Sequence, residues 1–201
     1  MSHAAVPAAV FPRDWLTQAG PGSDEPATDL DLVVLLLNSH DLLADPADRL
    51  TDLAWLRAAL RQSGHAVLAR ELRAADLPRL RRLRADLRTV VESPDVDHAV
   101  VRLNRLLTAG RALPLLVRDD AGVRLRVGAG RHGVAALAAR LPAALAEHVA
   151  QHGLDRLGVC ASDPCRCVYV DRTRGATRRY CCGWCNDRRA ARAYRRRRLS
   201  G

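Results

Sequence analysis

The chain has 201 residues, with 32 basic residues that are all arginine, 22 acidic ones, a net charge of +10 and only 3% aromatics. That length accommodates one body with a core of Leu, Val and Ala plus a small appended module. All six cysteines fall between Cys160 and Cys185, which excludes a disulfide-stapled secreted scaffold, and the longest strongly apolar run, Leu32 to Leu37, is far short of the roughly 20 residues that span a bilayer.

In chain order, residues 1–29 are rich in Ala, Pro, Gly and Asp, with Phe11 and Trp15 as large anchors, and read as a flexible segment. No basic n-region with an apolar stretch opens the chain, so a soluble cytoplasmic protein without a membrane partner is expected. Leu30 to Leu37 reads most simply as a buried strand, a buried helix being the alternative at that length. Asp45-Pro46 supplies an N-cap with proline at the first helical position, and Leu50, Leu53, Leu56 and Leu60 follow on one face. Asp76 and Pro78 open a second helix whose stripe is Leu77, Leu80, Leu83, Leu87 and Val90. A third spans about Asp95 to Leu107, with Val96, Val100, Leu103 and Leu107 inward and Gly110 as the stop.

The period then changes. Leu115 to Val117, the turn Asp119-Asp120-Ala121-Gly122 and the alternating Val123 to Val127 predict a β-hairpin with one face buried. Val134 to Gln151 returns to helix, with Pro142 as a kink or break and Gly153 as its end, and 152–159 joins the body to the cysteine module. The expected organisation is a flexible segment 1–29, an α/β domain 30–153 and a cysteine-rich module 154–201. The fold class is α+β, a helix-rich body with a β-hairpin followed by a small treble-clef-like finger.

Cys160 and Cys165, then Cys181 and Cys185, form two pairs separated by a loop, the spacing by which short backbone segments present four thiolates to one Zn²⁺ ion. Cys182 also makes a C-x2-C pair with Cys185, so the third ligand is Cys181 or Cys182, and Cys167 has no assigned role. A redox reading of Cys182-Gly-Trp-Cys185 lacks a βαβ context. Cys160 to Cys165 would be a knuckle, Val168 to Asp171 a strand, Arg174-Gly175 its turn, Arg178 to Tyr180 the return strand, and Cys181 and Cys185 would stand at the start of a terminal helix.

Residues 160–201 carry 12 Arg against 3 Asp, so nearly all the excess charge lies on this module. A Zn²⁺ ion with four thiolates would leave about +7 there, a dense field for a polyanion. Arg172, Arg174, Arg178 and Arg179 on the hairpin, and Arg188, Arg189, Arg192, Arg195 and Arg196 on the helix, are the candidate nucleic-acid contacts, with Tyr169, Tyr180, Trp184 and Tyr194 among them. His148 and His152 stand i, i+4, but Glu147 precedes both, which is not the His-Glu-x-x-His order of a zinc protease. No catalytic motif is visible and an enzyme is not expected.

The run Cys160, Cys165, Val168-Tyr169-Val170-Asp171-Arg172, Arg178-Arg179-Tyr180-Cys181 and Cys185 resembles the CGNR zinc finger, although Cys185-Asn186-Asp187-Arg188 keeps only the first and last residues of the signature tetrapeptide. The family spacing favours Cys181 over Cys182. The preceding body resembles the ABATE domain that accompanies this finger: Asn38-Ser39 follows the apolar run, and Asp45-Pro46-Ala47-Asp48 and the hairpin before the last body helix agree, with Leu35 where the family usually has an acidic residue. The resemblance implies a bacterial transcription regulator that binds nucleic acid, DNA in preference to RNA, through a zinc-dependent finger. The body would sense a small-molecule effector or form a homodimer. The alternative is an RNA- or protein-binding adaptor that uses the same basic finger without sequence-specific DNA recognition.

Overall fold

The computed structural model describes residues 27–120 and 122–199, so the expectation of a flexible segment with Phe11 and Trp15 lies, over residues 1–26, outside the described residues. Helix α1, Asp29–Leu37, forms where a strand was the simpler expectation. Thr28 caps it reciprocally, its hydroxyl accepting from the Asp31 backbone at 3.2 Å while its own backbone N–H donates to the Asp31 carboxylate at 3.0 Å. Every residue from Asp31 to Leu37 is buried, so no periodicity was available to separate helix from strand.

No helix starts at Asp45-Pro46. Asp41, Asp48 and Asp52 instead accept from the backbone N–H groups of Leu43, Leu50 and Ala54, at 3.0, 2.9 and 2.6 Å. Such local side-chain acceptors compete with helical bonding, and α2, Ala54–Gln62, begins only after the last of them. Leu50, Leu53, Leu56 and Leu60 are nevertheless all in the core. A short α3, Ala66–Glu71, and a 3₁₀ turn, Ala74–Asp76, follow with no counterpart in the sequence reading. Helix α4, Leu77–Val91, has its expected stripe, with Leu80, Leu83, Leu87 and Val90 buried.

Helix α5, Val96–Gly110, is capped by Asp95, whose carboxylate accepts from the His98 backbone at 2.9 Å. Its inward residues are Ala99, Leu103 and Gly110, while Val96 and Val100 are exposed. Gly110 ends the helix as expected and is also a crossing point, since a Cβ there would overlap the Ala138 carbonyl of α6, Gly133–His152. Pro142 lies four residues after Ala138 and has no N–H to donate to that carbonyl. α6 continues through the proline, and the freed oxygen is where the α5 backbone makes its closest approach. Between them, β1, Pro114–Asp119, pairs antiparallel with β2, Gly122–Val127, in the expected hairpin, but neither strand has a buried residue.

The module also differs from its expected order. β3, Leu157–Val159, comes from the expected linker and pairs antiparallel with β4, Val168–Val170, so the partner of β4 precedes the first cysteine and residues 178–180 form no strand. Helix α7, Gly183–Leu199, ends the description. The buried Val168 belongs to the main core, with Leu157 and Val159 packed against it.

The buried Asn38 side chain closes the seam: its amide donates to the Val168 carbonyl at 2.8 Å and its carbonyl accepts from the Val168 N–H at 2.7 Å. Arg84 reaches both Asp48 carboxylate oxygens at 2.7 Å, tying the aspartate-rich loop to α4. Asn38→Ala should cost about 3 kcal/mol in chemical denaturation, because it orphans two buried backbone groups; a loss below about 1 kcal/mol would remove the clamp's importance. The Arg84 hydrogen bond lowers Asp48 from the ordinary 3.8 to about 2. Its contribution is therefore complete above about pH 4 and fades as pH falls towards 2. Asp48→Asn should lower stability by about 1 kcal/mol at neutral pH, a figure reduced for the exposure of the aspartate. The gap between wild-type and variant melting temperatures should close across that acid window.

Candidate metal centre

β3 ends at Val159, which places Cys160 at the mouth of the loop to β4, where its backbone N–H donates to the Cys167 carbonyl at 2.9 Å. Within the loop the Cys165 N–H donates to the Ser162 carbonyl at 2.9 Å, turning the second sulfur back towards the first. Cys181 precedes α7 and Cys185 lies in its first turn. The four sulfurs are buried and lie within 4.8 Å of one another.

Cys165 to Cys181 is 3.8 Å and Cys181 to Cys185 is 3.7 Å. A disulfide would need about 2.0 Å. Four thiolates tetrahedral about a Zn²⁺ ion, with metal–sulfur bonds of about 2.3 Å, stand about 3.8 Å apart. The donor set therefore fits such an ion in chemistry, burial and spacing. Hydrogen bonds from Cys160, Cys167, Cys181 and Cys185 hold Cys165 well below the usual thiol range, while Cys160, Cys165 and their neighbours push Cys181 up. So crowded a group accommodates several thiolates only with a cation among them.

Of the spare cysteines, Cys182 has its sulfur 3.8 Å from that of Cys181, but it is only half-buried and outside the group of four. Cys167 is buried in a second group with Asp41 and the shared Cys165. His148 and His152 have ring centroids 4.9 Å apart, and no third ligand joins them among the described residues. Burial lowers the pKa of His148, whose Nε2 has no hydrogen-bond partner.

The arginines divide into two sets. Arg178 donates to the Tyr180 carbonyl at 2.9 Å and to the Cys181 carbonyl, and stacks its guanidinium 5.0 Å from the Tyr169 ring centroid. Arg188 donates to the Ser162 carbonyl and lies over Trp184, while Arg192 donates to the Asp163 carbonyl at 2.7 Å. Arg188 and Arg192 thus join the metal-side loop to α7, while Arg178 ties the residues before α7 to Tyr169 of β4. Arg172 pairs with the buried Asp31 of α1 at 2.6 Å. Arg174, Arg179, Arg189 and Arg195 are exposed and have no ion pair among the described residues. The side chain of Arg196 lies outside the described ones.

The turn beneath these groups is built on Asp171, which accepts from the Thr173 N–H at 2.8 Å, the Thr173 hydroxyl at 2.6 Å and the Arg178 N–H at 2.8 Å. Sequence reasoning missed the contacts that hold this module to the body. Asn38 was visible only as part of a resemblance, and Arg88 to the Arg166 carbonyl at 2.8 Å and Arg166 to Glu92 at 2.8 Å had no local signal, being pairs 78 and 74 residues apart.

A family model described as "ABATE: Putative stress-induced transcription regulator" matches residues 30–152, and a second, described as CGNR zinc finger, matches residues 156–198. No curated protein matches the chain. Both descriptions are regulatory or structural and not enzymatic. Elemental analysis of the purified protein should find one bound metal per chain; Cys165→Ser or Cys185→Ser should abolish it, and Cys182→Ser should leave it in place.

Proposed function

The chain belongs to the ABATE family and ends in a CGNR zinc finger, and from this we propose that it is a bacterial DNA-binding transcription regulator whose finger requires Zn²⁺. Cys160, Cys165, Cys181 and Cys185 would hold the ion, which supplies a structural crosslink between the β3–β4 loop and the head of α7. The observation that carries the reading is the exposed group Arg174, Arg179, Arg189 and Arg195, unpaired among the described residues on a module with 12 Arg against 3 Asp. Guanidiniums left free of internal partners can replace the counterions of a phosphate backbone.

Arg178, Arg188 and Arg192 support that surface from within, because their donors are engaged by carbonyls of the module. Arg172 does so from the seam with α1. Among the described residues no helix is long and apolar enough to cross a membrane, which accords with action on nucleic acid in the cytoplasm.

The test is anisotropy of a labelled genomic duplex, selected by the zinc-loaded protein, across a salt series. Arg174→Ala, Arg179→Ala and Arg189→Ala should each weaken binding, and each lost phosphate contact should reduce the salt slope by about 1. Chelation of the metal should abolish binding. Retained affinity in excess chelator, or displacement by structured RNA in preference to duplex DNA, would overturn the assignment.

A further inference from the structure

The alternation in β2 assigns one face of the hairpin to a core, yet the body covers only its base, where Val127 is half-buried, and leaves the rest exposed. Antiparallel pairing places Pro114 with Val127, Leu116 with Leu125 and Arg118 with Val123 on that face. Leu116 is 74% exposed, Leu125 66% and Val123 65%. The basic residues of β2, Arg124 and Arg126, occupy the opposite face, where Arg124 pairs with Asp119. A two-stranded ribbon packed only at its base is marginally stable in water, and such an exposed apolar ladder invites association.

We propose that this face packs against the same face of a second copy of the chain, so that the protein is a homodimer closed by hairpin-on-hairpin contact. Arg118, the charge on this face among the described ladder residues, lies at its turn end. A two-fold axis lying in the plane of the contact and perpendicular to the strands sets the two Arg118 side chains at opposite ends of it, over the partner copy's Pro114–Val127 end, so like charges do not meet. A nucleic acid offers no apolar surface to cover these leucines.

The area agrees with a self-association of modest strength. At about 25 cal/mol per Å², the transfer energy of a Leu or Val side chain corresponds to roughly 100 Å², so the exposed ladder offers on the order of 300–350 Å² per copy. Doubled, and with an apolar share of about 60–65% in the contact, this gives roughly 1,000 Å² in total, at the lower bound for a specific interface. The dimer should therefore exchange with monomer at micromolar concentrations.

Sedimentation velocity of the full zinc-loaded chain over about 1–100 µM should show a rising dimer fraction, the range expected for an interface of this size. Leu116→Asp and Leu125→Asp should each weaken the dimer at least tenfold with an unchanged helical melting profile, and Leu116→Ser should shift it less in the same direction. Val67→Asp, at an apolar residue of α3 that is 60% exposed, should dimerise as the wild type does. A monomer throughout the range, or a dimer unmoved by both aspartates, overturns the proposal.

Discussion

The carboxamide of Asn38, only 2% exposed, occupies both the N–H and the carbonyl of Val168, so that the end of α1 behaves towards β4 as a neighbouring strand would. β3 takes the other edge, and between them no backbone group of Val168 is stranded in the core. The clamp explains why a three-residue strand can be fully buried. It also determines where the metal-side loop begins, because Cys165 and Cys167 lie immediately before the residue that Asn38 holds. Arg88, donating to both the Leu37 and the Arg166 carbonyls at 3.3 and 2.8 Å, repeats the connection on the α4 side. Arg172 to Asp31 repeats it at the start of α1. The finger is thus continuous with the body: its central strand is part of the body's core.

That continuity assigns different tasks to chemically identical side chains. An arginine whose guanidinium is satisfied by backbone carbonyls, as in Arg178, adds rigidity to the cysteine turn and has few donors left for an outside anion. One at an exposed position without such partners, as in Arg189, keeps its donors for a phosphate. Composition sees only the total charge. The distinction depends on whether an orphan carbonyl lies within reach, which only the folded loop decides.

The grouping of the four cysteines was legible because it is local: Cys181 and Cys185 are four residues apart at a helix start, and Cys160 and Cys165 share one loop. The α4 stripe and the hairpin turn were legible for the same reason. Misreadings arose where the deciding partner is distant or where the pattern is silent. Leu32 to Leu37 is buried on all sides, so α1 had no polar face to reveal its period. The register of α5 was set by the Gly110–Ala138 crossing, which keeps Leu103 inward as expected but turns Ala99 in, in place of Val96 and Val100. β4 chose Leu157–Val159 as partner over 178–180, since Asp171 uses its carboxylate to fold the following residues into a turn.

Charge gives the finger its final constraint. Without a cation, four buried sulfurs within 4.8 Å leave the group either protonated and weakly bonded or ionised and mutually repelling. Arg178 and Arg188 are held by the carbonyls of Cys181 and Ser162 and so have few donors left for the sulfurs. A divalent ion held by these four sulfurs would resolve the repulsion and leave a residual negative charge beneath a positive surface. That buried charge would attenuate the self-repulsion of the arginines above it, so that so short a segment could keep most of its positive charge exposed and still fold against the body.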